Sequence, residues 1–196
     1  MARGTRAQEF STGKRRRGRR VLFGILVTLF ILALLVFALS PFVAYSVKVS
    51  SGAMSPAIAI SDTVGVNHLA YLLLPPARGD IIQFRIERGD EDASSGEGSS
   101  QIRRIVGLPG ETVQISDGAV YINGYPLKED YISGDMTYGG TASSALTLSS
   151  DEYFVMADNR TNNFDSRDST VGPISGADII GKVWLRLKPF EHAGLI

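Results

Sequence analysis

The sequence of 196 residues contains no cysteine and only two histidines, His68 and His192. The absence of cysteine excludes disulfide bonds, thiol nucleophiles and thiolate metal sites. The two histidines do not show a metal-binding spacing, and they support neither metal catalysis nor a catalytic triad centred on histidine. We therefore expect no metal ion and no other cofactor, and ordinary structural roles for both histidines.

The sequence also lacks a net charge, because 20 basic residues balance 20 acidic residues. The balance is uneven, since eight of the basic residues and only one acidic residue lie within residues 1–20. A basic tail next to a long apolar run is typical of the cytoplasmic flank of a membrane helix. This placement favours the membrane, and not a nucleic acid, as the partner of the tail.

No charged residue occurs in residues 21–47. This run exceeds the roughly 20 residues that cross a bilayer as a helix, and it predicts a transmembrane anchor over 21–47. The alternative is a cleaved signal peptide, but its apolar region would span only about 7 to 15 residues, and Pro41 disfavours cleavage after Ser40. The basic flank predicts a single-pass protein of the cell membrane, with residues 1–20 cytoplasmic and residues 48–196 extracytoplasmic.

No long segment with helical periodicity follows residue 48. Short runs rich in β-branched and aromatic residues alternate there with Gly, Pro, Asn and Asp, which predicts a mainly β domain. The predicted strands are residues 45–49, 63–67, 80–86, 101–106, 112–116, 119–122, 152–156 and 179–187. Two polar, glycine-rich stretches, residues 87–100 and 133–150, are expected to be surface loops that add little to the core.

Five segments of this domain are similar to the conserved boxes of type I signal peptidases. They are residues 51–56 (SGAMSP), 78–84 (RGDIIQF), 103–111 (RRIVGLPGE), 120–124 (VYING) and 157–167 (ADNRTNNFDSR). The resemblance implies a β domain of coiled antiparallel sheets of the signal peptidase type, held at the membrane by one N-terminal transmembrane helix. It also implies an active-site face close to the bilayer.

Active members of that family use a Ser/Lys dyad, in which a lysine of lowered pKa takes the proton of the serine. The resemblance places the nucleophile at Ala53, which has no oxygen, and the general base at Arg103. A guanidinium keeps its proton at any usable pH and cannot act as this base. The serine that orients the lysine is replaced by Asn163. Only Ser51 remains, at the position of the hydroxyl on the oxyanion side.

Four other residues match the boxes and are expected to support the site: Met54, Pro56, Asp165 and Arg167. Asp165 and Arg167 are two positions apart, and we interpret them as a structural charge pair that holds their loop. An engineered serine-to-alanine change would explain Ala53 alone. The further departures at Arg103 and Asn163 favour a natural loss of the chemistry.

A relocated active site is a second interpretation, with Ser50, Ser51 or Ser55 as nucleophile and Lys48 as base. Lys48 and Ser51 are an odd number of residues apart and would project to opposite faces of a strand. Ser50 shares the parity of Lys48, but a lysine on a hydrated surface stays protonated.

The sequence therefore predicts a cleavage-deficient protein that binds signal segments of exported preproteins by strand addition, as a scaffold or chaperone in surface-protein or pilus assembly. Its resemblance to pilus-associated signal-peptidase-like proteins suggests pilin and sortase as further partners. One alternative is an active signal peptidase that cleaves signal peptides with other residues. Another is a membrane regulator that binds the preprotein and competes with an active paralogue.

Overall fold

The computed structural model describes residues 22–34, 44–72, 74–86 and 100–196, and the chain divides into two compact units, Met1–Val43 and Ala44–Ile196. In the first unit, residues 22–34 are helical, and the Thr28 hydroxyl donates to the carbonyl of Gly24 at 2.9 Å. No helix within the described residues is long and apolar enough to span a membrane. The predicted basic tail, residue 21 and residues 35–43 of the predicted anchor lie outside the described residues.

The second unit is built from short strands, which agrees with its lack of helical periodicity. Its described strands are β1 (Ala44–Lys48), β2 (Thr63–Asn67), β3 (Ile81–Arg85), β4 (Ser100–Gly107), β5 (Thr112–Ser116), β6 (Ala119–Ile122), β7 (Tyr125–Pro126), β8 (Leu146–Thr147), β9 (Glu152–Met156), β10 (Ile174–Ser175), β11 (Ile179–Lys188) and β12 (Gly194–Leu195). Strand β1 begins at Ala44, so residues 44–47 of the predicted anchor belong to this strand.

The strands form two antiparallel sheets. The larger sheet has the order β1-β2-β11-β3-β4-β9-β10, with β12 also paired to β11, and the smaller sheet has the order β7-β6-β5-β8. Strand β11 carries register shifts against both β2 and β3. Because bulges increase the local twist of a strand, these shifts curl the larger sheet. The prediction of a mainly β domain with coiled antiparallel sheets is confirmed.

One core cluster joins the two sheets, and the segment 133–150 contributes to it. The buried members of this cluster are Val106, Val113, Ile115, Val120, Ile122, Ala142, Leu148, Phe154 and Met156. The expectation that residues 133–150 add little to the core is therefore wrong, because the segment buries Ala142 and Leu148 through a short 3-10 turn and β8. Of the other predicted loop, residues 87–99 lie outside the described residues, and Ser100 begins β4.

Candidate functional site

Ala53 lies in a single 3-10 turn, Gly52–Met54, that follows β1. Ser51 caps this turn, since its Oγ accepts a hydrogen bond from the Ala53 N–H at 3.3 Å. The carbonyl of Ala53 accepts from the Asn159 N–H at 2.9 Å. Ala53 is only 1% exposed. The turn is thus fixed at both backbone groups of Ala53, and the side chain at the predicted nucleophile position is a buried methyl group.

The neighbours of Ala53 in the segment 51–56 differ in their burial. Met54 is buried in a core cluster with Val49, Ile58 and Val64, among others. Pro56 is exposed at the far end of the turn. Ser51 is also exposed, and its hydroxyl keeps its own hydrogen for donation because Oγ is the acceptor in the cap. The segment 51–56 therefore has an exposed hydroxyl, that of Ser51, beside the turn.

Arg103 lies on β4, the strand against which the turn Gly52–Met54 packs. Its side chain is buried, and its guanidinium donates three hydrogen bonds to main-chain carbonyls. Nε and Nη2 donate to the oxygen of Phe164 at 3.0 and 2.6 Å, and Nη1 donates to the oxygen of Ile102 at 2.7 Å. These bonds use three of the five N–H donors of the protonated guanidinium, which has no acceptor.

Burial is the main cause that lowers the pKa of Arg103 from its ordinary value to about 10. The negative charge of Asp165 acts in the opposite direction, and the positive charge of Arg167 lowers the pKa further. A group with this pKa carries its proton at neutral pH. Arg103 therefore presents a cation at neutral pH, and no proton acceptor, at the position predicted for the general base.

Asn163 lies in the loop between β9 and β10 and is exposed. Its carbonyl accepts from the Asp165 N–H at 2.9 Å. Arg103 instead bonds to the main chain of the next residue, Phe164. Among the described residues, no hydrogen bond joins the Asn163 side chain to Arg103. The structure thus brings Arg103 to the loop that contains Asn163 without using the Asn163 side chain.

Asp165 and Arg167 form a fully buried ion pair in the same loop. Arg167 Nε donates to Asp165 Oδ1 at 2.9 Å, and Arg167 Nη2 donates to Asp165 Oδ2 at 2.8 Å. Asp165 also accepts from the N–H groups of Ala157 and Arg167, while Arg167 donates to the carbonyls of Arg160 and Asn162. These bonds tie the two ends of the loop together and fix the carbonyl of Phe164 between them.

Two further ion pairs, which the sequence did not predict, surround this loop. Arg104 donates to both oxygens of Asp158, with Nε at 2.8 Å and Nη2 at 2.6 Å, and Arg160 pairs with Glu129. Burial raises the pKa of the Asp158 carboxyl, and Arg104 opposes that rise. Arg104, Asp158 and Arg160 belong to matching boxes, whereas Glu129 lies between boxes and offers no signal in the sequence.

The segment that contains Glu129 braces the turn of Ala53. The Ser133 hydroxyl donates to the carbonyl of Ser55 at 2.7 Å, and the Ser133 N–H donates to the carbonyl of Asp158 at 2.8 Å. The ring of Tyr131 lies under the guanidinium carbon of Arg104, 4.1 Å from the ring centroid. This segment therefore links the turn to the loop between β9 and β10.

Two strand edges beside the turn have no strand partner within the described residues. β1 is the terminal strand of the larger sheet and leads directly into the turn. Residues Ser100–Arg103 of β4 pair with β3 alone, because β9 pairs with β4 only from Arg104 onward. Free main-chain donors and acceptors on a strand edge can bind an extended peptide.

The relocated active site finds no support in the described contacts. Lys48 is exposed and pairs in register with Thr63, and Ser50 is exposed as well. No hydrogen bond in the described part of the chain joins Lys48 to Ser50, Ser51 or Ser55. Because a base must reach the hydroxyl that it deprotonates, this geometry does not form a dyad.

Comparison with known proteins places these features in a family. Residues 22–188 match the family model described as signal peptidase, peptidase S26. The signal peptidase I of Leptolyngbya laminosa is 34% identical over 160 residues, which cover 82% of this chain and 76% of that protein. A probable signal peptidase I-2 of Synechocystis is 32% identical over 173 residues, which cover 87% of this chain and 74% of that protein.

A solved structure of a signal peptidase I from Enterococcus faecalis V583 is also similar. It shares 34% sequence identity, covers 55% of this chain and 96% of its own, and superimposes with a TM-score of 0.43. The family match over residues 22–188 contains the turn of Ala53, Arg103 on β4 and the loop of Asp165. This chain therefore belongs to the signal peptidase family, peptidase S26.

Proposed function

We propose that this chain is a membrane-anchored member of the signal peptidase family that binds the signal segments of exported preproteins without cleaving them. The observation that carries the proposal is the buried guanidinium of Arg103, which donates to Phe164 and Ile102 at the base position, next to the turn of Ala53. A dyad needs an oxygen nucleophile and a group that accepts its proton. Ala53 and Arg103 provide neither.

The expected loss of cleavage rate is large because the two dyad residues act as a unit. Removing one member of such a unit lowers the rate by roughly 10⁶-fold, and further losses within the unit add little. Ala53 alone should therefore abolish useful cleavage. Arg103 would still hold its proton if a serine were restored at residue 53.

Peptide binding does not depend on the dyad. The edges of β1 and of Ser100–Arg103, which have no strand partner among the described residues, offer main-chain donors and acceptors to an extended segment. The buried ion pairs and the Ser133 bonds hold the turn and the loop that flank these edges. A fixed groove binds a peptide with a smaller loss of entropy than a flexible groove.

The uncharged run of residues 21–47 and the basic residues before it support the membrane anchor. On this basis we place the β domain on the extracytoplasmic side, where exported preproteins emerge. We further propose a role as a scaffold or chaperone in surface-protein or pilus assembly, with pilin and sortase as partners. Crosslinking in intact cells should then capture an exported protein, and recovery of no secreted client would contradict this role.

The decisive experiment measures cleavage of a labelled preprotein by the purified full chain. We expect no specific cleavage by the natural protein or by Ala53→Ser alone. The combined variant Ala53→Ser, Arg103→Lys, Asn163→Ser should regain cleavage after a small residue, because burial at residue 103 should also lower the pKa of a lysine there. Arg103→Lys alone is the matched control and should stay inactive.

Specific cleavage by the natural protein that disappears in Ser50→Ala, Ser51→Ala or Ser55→Ala would overturn the proposal. That result would establish the alternative function, an active signal peptidase with a relocated nucleophile. Cleavage that survives all three changes would point to a contaminating protease, which a mock purification in parallel would detect.

A further inference from the structure

The charges around the turn of Ala53 leave one buried cation without a carboxylate. Arg104, Arg160 and Arg167 each bond to a carboxylate, on Asp158, Glu129 and Asp165 respectively. Arg103 is 2% exposed and bonds only to main-chain carbonyls within the described part of the chain. A buried charge without a hydrogen-bonded counter-ion is unfavourable, and an anionic ligand would relieve this imbalance.

Asp165 cannot serve as the missing counter-ion through a hydrogen bond. Its Oδ1 accepts from the N–H and the Nε of Arg167, and its Oδ2 accepts from the Ala157 N–H and from Nη2 of Arg167. All four acceptor sites of the carboxylate are thus in use. The carboxylate that Arg103 lacks has to come from outside these residues.

The donors of Arg103 are arranged for a carboxylate. Nε and Nη2 form the planar fork that binds two carboxylate oxygens with parallel bonds, yet both donate to the single oxygen of Phe164. A guanidinium has five N–H donors, and the structure uses three on Arg103. An incoming carboxylate could replace the Phe164 oxygen and accept two bonds where one oxygen now accepts both.

We propose that Arg103 binds the free C-terminal carboxylate of a peptide that lies along the open edge of Ser100–Arg103. The inference rests on the proposed function, since it assumes that the groove binds signal segments. It specifies their chemical class: peptides that already end at a free α-carboxylate, such as a released signal peptide, and not an uncut segment inside an intact preprotein. An internal peptide bond is neutral and does not neutralise Arg103.

Few residues separate the guanidinium of Arg103 from solvent. Ala53 and Arg103 are buried, whereas Thr161 and Asn163 on the adjoining loop are exposed. A carboxylate ligand would displace the carbonyl of Phe164 from Nε and Nη2 of Arg103, next to exposed Asn163. The ion pair of Asp165 and Arg167, which holds the two ends of the loop, stays intact during this exchange.

The test compares two synthetic peptides with the same apolar signal sequence and a final alanine, one with a free C-terminal carboxylate and the other with a C-terminal amide. Binding to the full chain in detergent micelles is measured at pH 7 by fluorescence polarisation. An α-carboxyl with a pKa of about 3.5 is ionised there. We expect the free acid to bind at least about tenfold more tightly than the amide.

The variants assign this preference to the guanidinium. Arg103→Gln should reduce the acid-to-amide ratio to about one, and the matched control Arg85→Gln, which changes an exposed arginine on β3, should leave it unchanged. Arg103→Lys keeps the charge without the fork and should give an intermediate ratio. This second variant decides the matter if Arg103→Gln does not fold, as judged by circular dichroism.

Equal binding of the acid and the amide to the natural protein would overturn the inference while leaving the proposed peptide groove in place. A preference that persists in folded Arg103→Gln would overturn it as well. Failure of both peptides to bind would count against the inference and the proposed function together. Tighter binding of the acid than of the amide, lost in Arg103→Gln and kept in Arg85→Gln, would support the inference and the proposed function.

Discussion

At the scale of residues, the most distinctive feature of this protein is a group of buried arginines. Arg103, Arg160 and Arg167 are each at most 2% exposed, and Arg104 is largely covered. Each guanidinium finds acceptors on the loop that follows β9 or on the segment around Glu129. Because an unpaired buried charge is strongly destabilising, these contacts have to form together for the domain to fold.

Arg104→Met tests the pair of Arg104 with Asp158. The change leaves a buried carboxylate without its partner, and we expect the free energy of unfolding to fall by about 3–5 kcal/mol at pH 7. Urea unfolding of the purified chain measures this loss. Lys128→Met is the matched control, because Lys128 and Asp130 form an exposed pair at 3.5 Å that should contribute no measurable stability.

The loss caused by Arg104→Met should depend on pH. Burial already raises the pKa of Asp158, and Arg104 is the main influence that lowers it, so removal of Arg104 raises that pKa further. A carboxyl with a raised pKa in the folded state favours folding at low pH, and this contribution is lost as the pH rises through the folded-state pKa. Destabilisation should therefore be smaller near pH 4 than at pH 7. The opposite trend would contradict our account of this pair.

At the scale of elements, Gly107 at the end of β4 lies against the core between the two sheets, where there is no room for a side chain. A Cβ atom there would lie 2.6 Å from Val113 Cγ2 and 2.9 Å from both Leu148 Cδ1 and Phe154 Cβ. The strand register between β4 and β9 also shifts next to this glycine. Glycine at residue 107 thus allows the smaller sheet to pack closely against the larger one.

Gly107→Ala should lower the free energy of unfolding by about 1–3 kcal/mol, because the added methyl group overpacks this core. Thermal and urea unfolding measure the change. Gly194→Ala on β12 is the matched control, since a Cβ there meets nothing within 4 Å. If both variants were equally stable, the close packing at Gly107 would not be a determinant of the fold.

The sequence predicted the long strands well and missed the short ones. Strands β2, β5, β6 and β9 have the predicted bounds, β1, β3 and β4 differ by one residue at each end, and β11 extends one residue further at its C-terminal end. Strands β7, β8, β10 and β12 have two residues each, too few for an alternating pattern to be visible. Their formation depends on partners that the fold supplies.

At the scale of the whole molecule, the proposed topology is accessible to experiment because the chain has no cysteine. A single introduced cysteine is then the only thiol. We expect a membrane-impermeant maleimide to label Ser169→Cys, on an exposed part of the β domain, in intact cells. Ser11→Cys, in the basic tail, should react only after the membrane is permeabilised. Labelling of Ser11→Cys in intact cells would contradict a cytoplasmic N-terminus.

The sequence by itself determined which chemical groups stand at the predicted dyad positions. Alanine has no oxygen and arginine has no free lone pair, whatever the fold around them. Short runs of β-branched and aromatic residues between Gly, Pro, Asn and Asp likewise determined the longer strands, because these residues favour an extended backbone.

Only the tertiary structure decided how the arginines are paired. Arg160 and Glu129 are 31 residues apart, Arg104 and Asp158 are 54 apart, and Arg103 and Phe164 are 61 apart. No local pattern encodes partners at such separations, since the strand order that brings β4 beside β9 arises from packing of the whole domain. The fold therefore left Arg103, at the predicted position of the general base, as a buried cation with no hydrogen-bonded carboxylate among the described residues.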